Sequence, residues 1–125
     1  MEVPLLVNDF LRRPAQLYPE KTAVVDGARR FTYREFESRA NRLAGALRSL
    51  GIGKGDRVAM LSPNSHFDLE SFFGTSHIGA ILVPLNYRLI PQDHEYILDH
   101  AGVKAVLADR ELTAVLEPIR GRLAG

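Results

Sequence analysis

Gly51-Ile52-Gly53-Lys54-Gly55 is the stretch whose residue types most invite chemistry, because glycines let backbone amides approach a phosphate and a lysine neutralises one. Its surroundings run the wrong way. Phosphate loops leave a strand and open a helix, so that helix N-terminal amides point at the anion. This stretch leaves a helical pattern and enters a β-prone one, and it lacks the G-x-x-x-x-G-K-[ST] spacing. A helix stop followed by a turn accounts for it. The four histidines make no metal site by spacing. His94 and His100 stand about 240° apart around a helix, and His66 and His77 share a face but lie about 16 Å apart along the axis. Structural, hydrogen-bonded or solvated histidines are the expectation. Ser38, Ser49, Ser62, Ser65, Ser71 and Ser76 all lack the G-x-S-x-G context of a nucleophile elbow, and Ser65 reads as a helix cap. Glu35 with Glu37, and Asp93 with Glu95, are i, i+2 neighbours that point apart on a helix, so neither is a proton-sharing dyad. Spacing alone therefore assigns no catalytic residue and no metal ligand.

The elements that carry these residues are legible. Leu5, Leu6, Phe10, Leu11 and Leu17 fall near helical spacing and predict an amphipathic helix ending before Pro19, interrupted by Pro14. Thr22 to Val25 and Arg29 to Tyr33 are β-prone runs around Asp26-Gly27, a hairpin turn. Thr32 and Glu35 form a T-x-x-E capping box, opening a helix with Phe36, Ala40, Leu43, Ala44 and Leu47 on one face and a stop at Gly51. Arg57 to Leu61 is a strand, and Ser65 caps a helix through Ser76. Phe67, Leu69, Phe72 and Phe73 are spread around that helix, a pattern that asks for burial on more than one side. Ala80 to Val83 reads as a strand buried on both faces of a parallel sheet. Pro91 opens a helix with Tyr96 and Ile97 inward and Gly102 at its end. Lys104 to Leu107 is a strand, and Glu111 to Leu123 a helix with Leu112, Val115, Leu116 and Ile119 inward and Pro118 weakening its middle. The fold class is α/β: a β-hairpin first, then alternating strands and helices in a layered sheet.

Composition narrows the partners. The 125 residues are 46% hydrophobic and 25% charged, those of an ordinary globular domain or part of one. Sixteen basic against fifteen acidic residues give a net charge of +1, which offers no electrostatic reason for nucleic acid as a partner. The absence of cysteine excludes disulfides and thiolate metal sites and suits a reducing cytoplasm. Glu2 stands where a signal peptide needs cations, and no apolar run reaches the roughly 20 residues of a membrane span.

Two segments, Phe31-Thr32-Tyr33-Arg34-Glu35-Phe36 and Ser76-His77-Ile78-Gly79-Ala80-Ile81-Leu82-Val83-Pro84-Leu85-Asn86, carry a resemblance. They resemble the first two signature segments of the adenylate-forming superfamily, which comprises acyl-CoA synthetases, aryl-CoA ligases and peptide-synthetase adenylation domains. Those segments read roughly L-T-Y-x-E-L and K-x-G-A-x-x-V-P-L-N. The order of hairpin, T-Y-R-E-F, G-I-G-K-G-D-R-V, P-N-S and G-A-x-x-V-P-L-N-Y-R-L strengthens the match, which spans Leu5 to about Leu112 and looks nearest to fatty-acyl-CoA ligases. The resemblance implies the N-terminal segment of the family's layered α/β large domain, with residues 1–125 forming part of one domain and no second domain. It implies an ATP-dependent, AMP-forming activation of a carboxylic or fatty acid as acyl adenylate, followed by thioester formation with coenzyme A. ATP, magnesium and CoA are cofactors implied for the full-length enzyme and none for this chain, which has no T-S-G-T-T-G-x-P-K-G stretch. The segment from Phe31 to Phe36 is structural in this reading.

One position carries a role over from the family. Arg88, in Asn86-Tyr87-Arg88-Leu89, matches an arginine that contacts a phosphate of the CoA nucleotide in some relatives. Tyr87 stands where proline is common. The implied partner is the remainder of a ligase chain, or a second copy by self-association, and the implied setting is cytoplasmic. A free-standing interaction or dimerisation module is the alternative from another class. A small dinucleotide-binding domain fails for want of G-x-G-x-x-G after a strand.

Overall fold

A computed structural model describes residues 3–123 of the chain. Helix α1 (Asp9–Leu17) leads to a hairpin, β1 (Thr22–Asp26) and β2 (Arg29–Thr32), and then to α2 (Tyr33–Ser49). Strand β3 (Arg57–Leu61), α3 (His66–His77), β4 (Ile81–Pro84), α4 (Pro91–Ala101) and β5 (Val103–Ala108) follow in alternation. The described chain closes with a short α5 (Thr113–Leu116) between two 3₁₀ turns, Arg110–Leu112 and Glu117–Arg122. No helix among the described residues is long and apolar enough to cross a membrane.

The α2 cap forms as its sequence dictates: the Glu35 amide donates to Thr32 Oγ1 at 3.1 Å, and the Thr32 amide donates to Glu35 Oε2 at 3.1 Å. The helix ends at Gly51, whose φ of 82° is open to glycine and strained for other residues. The hairpin turn lies one residue later than Asp26-Gly27 suggests. Asp26 pairs with Arg29, so the turn is Gly27-Ala28, with positive φ only at Gly27. A single positive φ at the first central position is the pattern of a type II′ turn. The Asp26 side chain is freed for a different task, described below.

Three parallel strands in the order β4-β3-β5 form the sheet. Alternate residues of β3 enter different cores, because a strand's side chains point to opposite faces in turn. Val58 packs with Ala44, Leu47, Ile52 and Ile78 on the α2/α3 side. Ala59 and Leu61 pack with Leu98, Ile97, Val115 and Ile119 on the α4/α5 side. A third core joins α1, hairpin and α2 through Leu11, Val24, Phe31, Phe36 and Ala40.

Several expected faces differ. In α1 the buried positions are Leu11 and Ala15, while Leu5 and Leu6 precede the helix and, like Phe10 and Leu17, stay exposed; Pro14 sits inside it. In α3, Phe67, Leu69 and Phe72 are 46, 44 and 42% exposed, and the buried face is His66, Glu70, Ser71, Gly74 and Thr75. Close approach of α2 explains the inversion: a Cβ on Gly74 would lie 2.8 Å from Leu43 Cδ2, so only a small residue fits there. Phe73 alone of the four reaches a core, edge-on to Phe36 at 5.7 Å. Strand β4 is an edge strand, with Ile81 52% exposed, and is not covered on both faces. In α4 the inner positions are His94 and Leu98, one helical turn apart; Tyr96 points out and stacks on His100 at 5.5 Å. The last helix breaks up because Pro118 offers no amide to the preceding turn.

Candidate functional site

The strands of a parallel α/β sheet end together, and ligands of such sheets gather outside those carboxyl ends. Here β3 runs into Ser62, β4 into Leu85 and β5 into Asp109, and the ladder is extended past each strand. The Leu85 amide donates to the Met60 carbonyl at 2.8 Å, and the Asp109 amide to the Leu61 carbonyl at 2.8 Å. Between β3, β5 and the two helices above them lies a cleft of 340 Å³. Leu43, Met60, Phe67 and Leu107 give it apolar walls, and Ser62, Glu70, Asp109 and Arg110 give it a polar rim.

The polar groups near the cleft are engaged in local structure. Ser62 Oγ donates to the Pro63 carbonyl at 2.8 Å and lies 3.3 Å from Ser65 Oγ, with no histidine bonded to it to act as base. Ser65 caps α3 by accepting from the Asp68 amide at 3.4 Å. Among the described residues no group of three or more metal-ligating side chains converges.

Arg88 lies on the loop after β4 at the same edge of the sheet, and it is not among the residues that line the cleft. Leu85 is buried and anchors the loop, and Asn86 shapes it: its side-chain oxygen accepts from the Arg88 amide at 3.0 Å, and its carbonyl accepts from the Leu89 amide at 3.1 Å. The Arg88 guanidinium is exposed, 5.6 Å from the Tyr87 ring centroid, and makes no ion pair among the described residues. Four residues beyond Ile90, whose carbonyl takes its amide, His94 is wholly buried with neither ring nitrogen hydrogen-bonded. Burial holds its imidazole below the usual histidine range, against the weaker opposing pull of the Asp93 carboxylate and the Leu89 backbone.

The glycine-lysine stretch is a turn that fills itself. Asp56 Oδ2 accepts from the Gly53 amide at 2.8 Å and from Lys104 Nζ at 3.2 Å, and Lys104 also donates to the Gly51 carbonyl at 3.0 Å. The Gly53 bond first, and Lys104 second, hold the Asp56 carboxyl below the usual carboxylate range. A carboxylate of the chain thus occupies the amide that a phosphate would need. Gly79, at φ 73°, lies under the Lys54 stem, where an added Cβ would stand 3.2 Å from Cγ.

Spacing missed the polar seam that locks α3 to the hairpin and to α2. His66 donates its amide to Asp26 Oδ2 at 3.1 Å, and its Nδ1 lies 2.5 Å from the same oxygen. Those bonds from His66 hold the Asp26 carboxyl below its usual range. The His66 ring lies between Phe31, at 4.9 Å, and Phe67, at 4.0 Å. Arg39 of α2 reaches over Phe31 and Phe67 and donates through Nε to the buried Glu70. The signal was available: 66, 70 and 74 recur every four residues, as do 71 and 75, so polar and small residues share one stripe of α3.

Comparison with known proteins gives one answer. The chain is 43% identical to a long-chain-fatty-acid–CoA ligase of Thermus thermophilus over 98% of its length, and covers 24% of that protein. It superposes on an anthranilate CoA ligase solved with anthranoyl-AMP at a TM-score of 0.93 and 32% identity, over 98% of this chain and 24% of that one. The N-terminal domain of FACL13 from Mycobacterium tuberculosis matches at a TM-score of 0.90 and 36% identity, over 95% of this chain and 30% of that one. The chain spans about a quarter of the length of the curated relatives it matches. With the family model described as AMP-binding enzyme matching residues 11–124, the chain belongs to the AMP-binding enzyme family.

Proposed function

We propose that residues 1–125 are part of the N-terminal domain of a cytoplasmic, ATP-dependent, AMP-forming acyl-CoA ligase acting on a carboxylic acid, with fatty acids the first class to test. The observation that carries this is superposition over nearly the whole chain on a CoA ligase at a TM-score of 0.93, together with 43% identity to a fatty-acid ligase. ATP with magnesium supplies the adenylyl group that activates the acid, and CoA supplies the accepting thiol. The chain's own contribution is a scaffold: β3 and its two packed faces fix the carboxyl edge, and the Asn86 turn presents Arg88 from it. Arg88 suits a phosphate of CoA, because it is an exposed guanidinium on a braced loop with no carboxylate paired to it among the described residues.

The test is a chimaera in which this chain replaces the matched quarter of the Thermus thermophilus ligase. Acid-dependent exchange of pyrophosphate into ATP supports the reading, and a folded but inactive chimaera overturns it. The 125-residue chain alone is expected to give no exchange. A free-standing interaction module draws on exposed Phe67, Leu69 and Phe72; it gains ground if the chain alone forms a defined dimer while the chimaera is inactive.

A further inference from the structure

Arg88 is held differently from other arginines of the chain. Arg34 and Arg39 pair with carboxylates, those of Glu20 and Glu70, and Arg57 gives its Nε to the Ala101 carbonyl at 2.8 Å. Arg88 stands in no ion pair among the described residues and lies over the ring of its neighbour Tyr87, with Cζ 5.6 Å from the centroid. The difference decides what is left to bind with. A carboxylate in a bidentate pair takes two of the five N–H donors of a guanidinium and offsets its charge. An aromatic face attracts the same cation through its quadrupole and takes no donor.

Packing does not account for the ring. Tyr87 belongs to none of the three cores and is 37% exposed. It sits at the tip of a loop that is fixed at both ends. The Leu85 amide donates to the Met60 carbonyl at 2.8 Å on one side, and the Ile90 carbonyl accepts from the Asp93 amide at 3.0 Å and the His94 amide at 3.3 Å on the other. Between them the Asn86 side chain accepts from the Arg88 amide at 3.0 Å, which sets where the arginine side chain begins and not where its guanidinium ends. A free arginine has many rotamers to lose when it binds. A ring that already restrains the guanidinium lowers that cost.

We propose that Tyr87 is a positioning residue for Arg88: its ring holds the guanidinium at the tip of the loop with the N–H donors free for a phosphate of the thiol acceptor. The ring acts through the guanidinium and does not touch the acceptor. The proposal rests on the ligase reading for the identity of that acceptor, and on the loop geometry for the brace.

Two measurements test it, one of which needs no ligase. In the 125-residue chain the side-chain proton resonances of Arg88 are expected upfield of their random-coil positions, displaced by the ring current of Tyr87. Tyr87→Phe keeps the displacement, and Tyr87→Leu abolishes it. In the chimaera with the Thermus thermophilus ligase, Tyr87→Leu should raise the KM for CoA about two- to fivefold, the range of an exposed cation–π contact, with kcat unchanged and Tyr87→Phe close to the parent. The rise should vanish in two settings: where Arg88 is already alanine, and where pantetheine, which carries no phosphate, replaces CoA as the thiol. A ring stacked directly on the nucleotide base would still count in the Arg88→Ala background. A ring that only held the loop together would still count with pantetheine. Either result overturns the proposal, as does an unchanged KM for CoA or an Arg88 resonance that Tyr87→Leu leaves in place. The two readings fail separately. An active chimaera with an undisplaced Arg88 resonance sinks only the brace, and a displaced resonance with an inactive chimaera sinks only the ligase.

Discussion

Removing Arg39 tests whether the polar seam under α3 is a structural necessity. The Glu70 side chain is 7% exposed and the Arg39 side chain 26%, and the two are joined by a charge-assisted bond from Arg39 Nε. Arg39→Ala leaves a buried carboxylate without its cation, a loss of about 3 to 5 kcal/mol where no water can replace the partner. A quarter of Arg39 is already wet, so water partly takes its place and the lower end applies. Loss of the guanidinium from above Phe31, at 5.0 Å, and Phe67, at 5.7 Å, adds about 0.5 to 1 kcal/mol. The expected cost is therefore about 3 kcal/mol, a large share of the 5 to 15 kcal/mol typical of a domain.

Urea unfolding of the 125-residue chain, followed by circular dichroism, measures it. Arg42→Ala on the same helix is the control and should stay within about 0.5 kcal/mol, because Arg42 is exposed and its one bond, to the Ser38 carbonyl, is long at 3.5 Å. Replacing both partners by apolar residues, Arg39→Met with Glu70→Leu, removes the stranded charge. The double variant should then be more stable than Arg39→Ala alone, with a coupling of about 2 kcal/mol. A cost under about 1 kcal/mol for Arg39→Ala, or simple additivity in the cycle, would show that the seam is wet and that packing elsewhere holds α3.

Gly102→Ala should cost about 2 to 3 kcal/mol by thermal melting, because φ is 63° and the new Cβ meets the Arg57 guanidinium, whose Nε donates to the Ala101 carbonyl at 2.8 Å; in an Arg57→Ala background only the backbone part, about 1 kcal/mol, should remain. Asp26 has a folded pKa below its ordinary 3.8, so its bonds to His66 stabilise the fold above that value and the contribution is lost as pH falls below it; melting temperatures of Asp26→Asn should fall less steeply with acid than those of the parent. His94 has a folded pKa below 6.5, so the unfolded chain takes up a proton first and stability drops as pH falls below 6.5; His94→Leu should flatten that limb and cost little at pH 8, since neither ring nitrogen is bonded. In the active chimaera, Arg88→Ala should weaken CoA use by about 1.5 to 3 kcal/mol and spare pyrophosphate exchange, with Arg88→Lys in between; equal losses in both half-reactions would make Arg88 a folding residue.

The elements whose signals are local were legible in the sequence. The Thr32 and Glu35 cap, the Ser65 cap, the Gly51 and Gly102 stops, and Pro91 at the first turn of α4 each act through neighbouring residues, and each stands where its residue type requires. Strand β3 has the bounds that its apolar run marks. What spacing could not give was which face of a helix is covered, because that depends on the partner. Helix α3 shows this: an apolar count asks for burial of Phe67 and Phe72, but Leu43 sits over Gly74, and that contact turns the stripe of Glu70, Ser71 and Thr75 inward. Tyr96 fails for the same reason, since His94 and Leu98 take the inner face. The Asp26 to His66 clamp joins residues forty apart and has no local signal at all.

These failures fall in a pattern that bears on the site. Val58, Ala59 and Leu61 of β3 are fully buried, and Leu11, Phe36 and Ala40 close the core around the hairpin. The hairpin core is finished, and β3 is covered on both faces, on one of them by Leu85, Leu98 and Ile119. Strand β5 is less covered: each of its side chains is only partly buried or exposed, and Leu107 stands at a cleft wall. Local stability follows buried contact, so β5 is expected to open before β3 and the hairpin. The carboxyl edge straddles that division. Its β3 end has strand neighbours on both sides, while its β5 end has a neighbour on one side only among the described residues. The Arg88 loop hangs from the β3 side of that edge, held by the Leu85 amide on the Met60 carbonyl and shaped by the Asn86 side chain on the Arg88 amide.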